Sequence, residues 1–140
     1  LPRKISQFTQ RKVRKRAEFL CEYCHADERW QFIPFTIDHI IPFTQDGTGS
    51  LENLALACFN CNRLKSDKLK VGDTLLFNPR KMLWNNHFVW SKDFLRIIPK
   101  TEIGKVTAEL LQFNRERIQI IRGEDVKVNR HPPEGDEIEK

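Results

Sequence analysis

Four cysteines, arranged as two Cys-x-x-Cys pairs, constrain this 140-residue chain more than any other feature. The pairs are Cys21/Cys24 in CEYC and Cys58/Cys61 in CFNC, with 33 residues between them and no cysteine elsewhere. A two-residue gap lets the backbone turn a knuckle and aim both sulfurs at one ion, so two such pairs suit a single Zn²⁺ held tetrahedrally by four thiolates. Two disulfides in a secreted domain are the alternative. The opening residues, LPRKISQFTQRKVRKR, lack the apolar core of a signal peptide, which favours zinc and an intracellular, cytoplasmic setting. A redox role would need only one pair and a surrounding βαβ pattern, which neither pair has.

A chain of this length is most simply one domain, small enough to benefit from a metal staple. We expect residues 1–122 to form it, with a core at 21–68 and an extension at 72–122. The final stretch from 123, GEDVKVNRHPPEGDEIEK, is charged, proline-containing and nearly free of apolar residues, which predicts no stable structure. The longest apolar runs, such as LALAC at 54–58, fall far short of a bilayer span, so no membrane association is expected. The formal charge is +5, but residues 1–16 carry seven Lys/Arg and no acid, and residues 124–140 carry six acids against three bases. The tail's net −3 leaves the rest of the chain at +8, a balance that favours a polyanionic partner.

Along the chain, Ser6 or Thr9 can cap a helix reaching about Leu20, with Val13, Ala17 and Leu20 at helical spacing. Its remaining face carries Arg11, Arg14 and Lys15, suited to a phosphate strand. Residues 32–41, FIPFTIDHII, are β-branched and aromatic and read as a strand ending near Asp38-His39, stopped by Pro42. TQDGTGS is turn chemistry, with Asp46-Gly47 fitted to a tight reversal, and Leu54 to Ala57 form a second strand. A helix from Cys61 to about Lys70 follows. Farther on, a strand is expected at Phe94 to Ile98 and one helix from about Lys105 to Ile121.

Asp38, His39, Asn53 and Asn62 are each ordinary alone; together they can serve phosphodiester hydrolysis. That reaction needs a base to activate water and a cation to neutralise charge on the phosphoryl oxygens. An imidazole, with an ordinary pKa near 6.5, can accept the proton at neutral pH. Successive strand residues point to opposite faces, so Asp38 and His39 converge only if the strand end bends.

The ordered set CEYC, IDHIIP, GTGSLENL and CFNCNRLKSDK resembles the HNH endonuclease family over residues 21–68. The resemblance implies an α+β fold with a ββα-metal core on two zinc knuckles, a basic N-terminal helix and an aromatic-rich C-terminal extension. It implies His39 as general base, Asp38 and Asn62 as ligands of the catalytic divalent ion, and Asn53 as the residue fixing the loop that carries the base. It also implies DNA cleavage to 5′-phosphate and 3′-hydroxyl ends. Two oxygen donors suit Mg²⁺ or Mn²⁺ better than a second zinc. Lys65 matches a lysine often seen in CNxxK and is expected to help hold the phosphate, as is Arg63. The second half, with FNPR, Trp84, His87-Phe88, Trp90 and IGKVT, resembles an extension on some small bacterial HNH proteins. There Arg80 is the expected phosphate contact and His87 a packing residue, while His25 and His131 have no evident partners. The expected partner is DNA, double-stranded by preference. Paired cuts by a one-site nuclease often need two copies, which admits a homodimer. The rival reading is a non-catalytic zinc-knuckle nucleic-acid-binding module, in which the Asp38, His39, Asn53 and Asn62 set is idle.

Overall fold

In the computed structural model, which describes residues 4–140, Ser6 opens the first helix by accepting the Thr9 N–H on its hydroxyl. Arg3 of the basic run lies outside the described residues. Helix α1 (Gln7–Arg16) buries Val13 alone and ends with Arg14, Lys15 and Arg16, where cations complement the helix dipole. It stops short of the expected Leu20 because Glu18 and Phe19 both take positive φ (55° and 65°) and turn the chain back. Leu20 then bridges to Asp27, and the first knuckle fills the bend.

Strand β1 (Thr36–His39) pairs antiparallel with β2 (Leu54–Ala57), placing Asp38 opposite Ala55 and His39 opposite Leu54. β1 is shorter than the run at 32–41 suggested. Pro34 has no N–H to give a ladder, and Phe32 is fully exposed rather than in the core. β2 is buried at all four residues and forms the floor of this half. The link between the strands is not a tight hairpin: after His39 come Pro42, a single 3₁₀ turn at Phe43–Gln45, left-handed Asp46 (φ 67°), and a second turn at Leu51–Asn53. Gly47 packs so closely on the Ile41 carbonyl that any side chain there would collide with it. Helix α2 (Phe59–Lys65) follows β2, capped by Cys58, and ends at Ser66 (φ 52°) rather than near Lys70.

The chain divides into two compact units. One runs to Leu69 and includes Asn78–Lys81; the other comprises Lys70–Phe77 and Met82–Lys140. The second begins with the two-residue ladder of β3 (Lys70–Val71) and β4 (Thr74–Leu75) about Gly72. The short helix α3 (Trp84–His87) leads into β5 (Phe88–Trp90), antiparallel to β6 (Ile97–Pro99). Left-handed Phe94 (φ 67°) delays the strand expected from 94. The single helix expected over 105–121 is two, α4 (Glu102–Leu110) and α5 (Glu116–Lys127), separated at left-handed Gln112. Phe88, Trp90, Phe113 and Ile97 are buried at the centre, and the buried Arg122 donates to the Leu95 and Phe113 carbonyls with its guanidinium 4.9 Å from the Trp90 ring.

The stretch from 123, expected to be unstructured, is helical to Lys127, and its end adds to the sheet edge. The Trp90 N–H donates to the Glu137 carbonyl, the Glu139 N–H donates to the Trp90 carbonyl, and the indole N–H donates to Asp136 at 2.9 Å. Composition missed this because backbone pairing needs no apolar residues. His131, read as partnerless, lies with its Nε2 2.7 Å from the Phe94 carbonyl and its ring against Trp90. Deleting residues 130–140 should red-shift Trp90 fluorescence and lower unfolding stability by about 2 kcal/mol or more, from the lost hydrogen bonds alone. Burial, the largest influence, holds His131 below its ordinary 6.5, so neutral His131 favours the fold. Its contribution is present above about 6.5 and lost as pH falls through the lowered value. Denaturant midpoints at pH 8 and pH 5 should therefore differ more in the wild type than in His131→Gln.

Candidate active site and metal centre

The four cysteines, 33 residues apart in sequence as pairs, meet in space. Their sulfurs all lie within 4.8 Å of one another, all four residues are buried, and none is in a disulfide. Cys24 Sγ and Cys58 Sγ are 3.8 Å apart. Sulfurs about 2.3 Å from a tetrahedral zinc would be spaced by about that much, whereas a disulfide is about 2.0 Å long. The knuckles also have the local bonds that hold such sulfurs: Cys24 N–H points to Cys21 Sγ at 3.5 Å and Cys61 N–H to Cys58 Sγ at 3.4 Å. Without a cation the set is electrostatically awkward. Burial pushes the Cys21 thiol up, the bond to Cys21 pushes Cys61 up and pulls Cys24 down. A divalent ion accepting four thiolates removes the conflict.

The two residues between the first pair of cysteines also bind neighbours. Glu22 accepts the Leu56 N–H at 2.8 Å, donates its own N–H to the Leu56 carbonyl and pairs with Arg80. Tyr23, 1% exposed, donates its hydroxyl to Asp38 Oδ2 at 2.6 Å. Lys65, 2% exposed, reaches the same oxygen at 3.1 Å and donates to the carbonyls of Ile40 (3.1 Å) and His39 (3.4 Å). Lys65 thus faces inward instead of toward a phosphate, a correction to the sequence expectation. Burial raises the Asp38 carboxyl, with the Lys65 charge and the Tyr23 hydroxyl opposing it. Burial and the adjacent Asp38 charge push Tyr23 well above its ordinary value, so it remains a donor.

His39 is half-buried at the end of β1, its ring 4.5 Å from that of Phe43. Asn53, buried, closes the loop beyond it: Oδ1 accepts the Ile41 N–H (2.8 Å), while Nδ2 donates to the Ile41 (2.9 Å) and Thr48 (2.7 Å) carbonyls. Asn62 is half-buried on α2, three residues before Lys65 and so on the side of the helix that reaches the His39 carbonyl. The other carboxylate oxygen of Asp38 accepts from no described residue. The Asp38 carboxylate and the Asn62 amide each carry an oxygen of the hard kind that Mg²⁺ or Mn²⁺ takes. Sequence reasoning had no signal for Tyr23, since a residue between knuckle cysteines reads as spacer.

The basic residues divide. Arg11, Lys15 and Arg63 are exposed, the last 6.0 Å over the Phe59 ring. Arg14 is instead a tether, binding Glu28 (2.9 Å) and the Phe35 carbonyl (2.9 Å), and Arg80 is held by Glu22. Neither has its guanidinium free as the charge count implied.

The four-sulfur geometry predicts one tightly held zinc per chain, measurable by elemental analysis. Cys58→Ser should lose it together with the circular dichroism of the first unit, because metal binding and folding are coupled in sites of this size. A metal-free Cys58→Ser protein with native-like spectra and solubility would contradict this.

No curated protein and no solved structure matches the chain. A family model does: residues 21–68, the span from the first knuckle cysteine past the end of α2, match the HNH endonuclease family model.

Proposed function

We propose that the protein is a metal-dependent endonuclease that hydrolyses DNA phosphodiester bonds to 5′-phosphate and 3′-hydroxyl ends. The observation that carries this reading is that the backbone around His39 is clamped from two sides within the HNH match. Lys65 holds the His39 and Ile40 carbonyls, and Asn53 holds Ile41 and Thr48. A general base acts only when held within hydrogen-bond reach of the proton it takes, and these bonds hold the backbone that carries His39.

In the reaction, the His39 imidazole takes a proton from water as the water oxygen bonds to phosphorus. The bond from phosphorus to the 3′ oxygen breaks opposite it, and that oxygen leaves with the bonding electron pair and takes a proton from solvent water to become the 3′-hydroxyl. Asp38 and Asn62 are the residues that would hold a hydrated Mg²⁺- or Mn²⁺-type ion, which when bound stabilises charge on the phosphoryl oxygens and the leaving oxygen. Asn53 keeps the loop behind the base in place. Exposed Arg11, Lys15 and Arg63 supply cations for a phosphate backbone, double-stranded DNA being the expected form. The four-sulfur zinc site does no chemistry in this scheme, because four thiolates leave no open coordination position.

One observation favours the rival, a non-catalytic nucleic-acid-binding module: Asp38 is 5% exposed and already paired with Lys65, as a purely structural carboxylate would be. A single experiment separates the two. Incubated with plasmid and Mn²⁺ or Mg²⁺, the wild type should cut, and chelator should stop it. His39→Ala should lose about 100-fold or more in rate, the usual worth of a general base, while zinc content and circular dichroism are unchanged. Salt-sensitive DNA binding with no cleavage under any divalent ion would establish the rival.

A further inference from the structure

We propose that Tyr23 and Lys65 are positioning residues that aim the Asp38 carboxylate, so that the first zinc knuckle sets the geometry of the catalytic ion's ligand. The inference rests on the nuclease reading above and extends it to two residues that touch neither substrate nor the reacting water.

Both side chains converge on one oxygen, Asp38 Oδ2, at 2.6 Å from Tyr23 and 3.1 Å from Lys65. Two donors on one carboxylate oxygen fix the plane of the group and leave the second oxygen as the acceptor still available to a cation. The donors come from opposite ends of the metal scaffold. Tyr23 lies between Cys21 and Cys24, and Lys65 lies one helical turn after Cys61. The carboxylate is therefore referenced to both knuckles at once. Lys65 has three acceptors for its three ammonium protons, Asp38 Oδ2 and the carbonyls of His39 and Ile40. The same ammonium that orients Asp38 thus also fixes the backbone of His39, so the two residues keep their relation although they project from opposite faces of β1.

Stability alone is a poor account of this arrangement. A buried ion pair seldom stabilises a fold more than well-packed apolar residues of the same volume. Here Lys65, Asp38 and Tyr23 are at most 5% exposed, beside the buried apolar strand β2 that pairs with β1. Hydrogen-bond partners of metal-ligating residues generally tune metal affinity and activity by 10- to 100-fold, and the Tyr23 hydroxyl is such a partner if Asp38 is a ligand.

The test uses the zinc-loaded full chain and Mn²⁺ as probe, with affinity followed by electron paramagnetic resonance and cleavage of plasmid followed in parallel. Tyr23→Phe removes one oxygen. It should retain one zinc per chain and native-like circular dichroism, yet bind Mn²⁺ about 10-fold or more weakly, with kcat reduced and KM for DNA within about twofold. In an Asp38→Asn background the same substitution should cost nothing further, since Tyr23 acts through that carboxylate. Lys65→Met should weaken Mn²⁺ binding likewise and Lys65→Arg should restore part of it; if the methionine variant does not fold, Tyr23→Phe still decides. Wild-type Mn²⁺ affinity and kcat in Tyr23→Phe, with both lost in Asp38→Asn, would overturn the positioning role and leave the nuclease reading standing. A wild type that neither binds Mn²⁺ beyond its zinc nor cuts DNA would overturn both.

Discussion

Convergence of four buried sulfurs is the constraint on which the first unit depends. Its apolar core is thin: α1 contributes Val13, and β2 supplies most of the rest from four residues. Four sulfurs within 4.8 Å and away from water would repel one another as thiolates unless a cation takes them. Holding that cation joins the bend after α1 to the start of α2. The metal therefore closes a loop of more than 30 residues, and the β1–β2 pair is the content of that loop.

The knuckle does more than bind an ion. Cys21 and Cys24 give their sulfurs, Glu22 grips the middle of β2 through Leu56, and Tyr23 reaches across to Asp38 on β1. Each residue of CEYC is thus committed, two to the metal and one to each strand. On the far side, Lys65 leaves α2 to meet the same carboxylate and the adjoining carbonyls. The strand end bearing Asp38 and His39 is consequently held between two elements that are themselves pinned by sulfur. Asp38 turns toward Tyr23 and Lys65, His39 toward Phe43, and the pair is kept in register through the backbone.

Arginine serves two purposes in this chain. Arg14, Arg80 and Arg122 are bound to acids or carbonyls and tie segments together, and Arg16 donates to the Leu51 and Leu54 carbonyls. A guanidinium offers five donors in a fixed fork, which suits it to capping exposed carbonyls at the edges of short elements. Arg11, Lys15 and Arg63 remain at the surface with their charge available to a polyanion. Net charge alone therefore overstates the cationic surface, and the difference lies in side chains recruited as internal tethers.

The sequence by itself determined the features set by short-range spacing. Two Cys-x-x-Cys pairs fixed the sulfur site, the run LALA fixed β2, and Asp38-His39 fell at the end of a strand because Pro42 closes it. Element ends were less legible, because they hang on single residues in left-handed conformations: Phe19, Ser66, Phe94 and Gln112 carry no glycine signal and still break the chain. What only the tertiary structure decided was which polar groups meet. Lys65 looked like a phosphate ligand and is buried against Asp38, Tyr23, which no sequence pattern singled out, binds the same oxygen, and an acidic tail with almost no apolar residues pairs with the edge at Trp90. Spacing along a chain specifies local geometry, whereas a hydrogen bond between residues 15 or 27 positions apart depends on where folding brings their donors and acceptors, which no local pattern encodes.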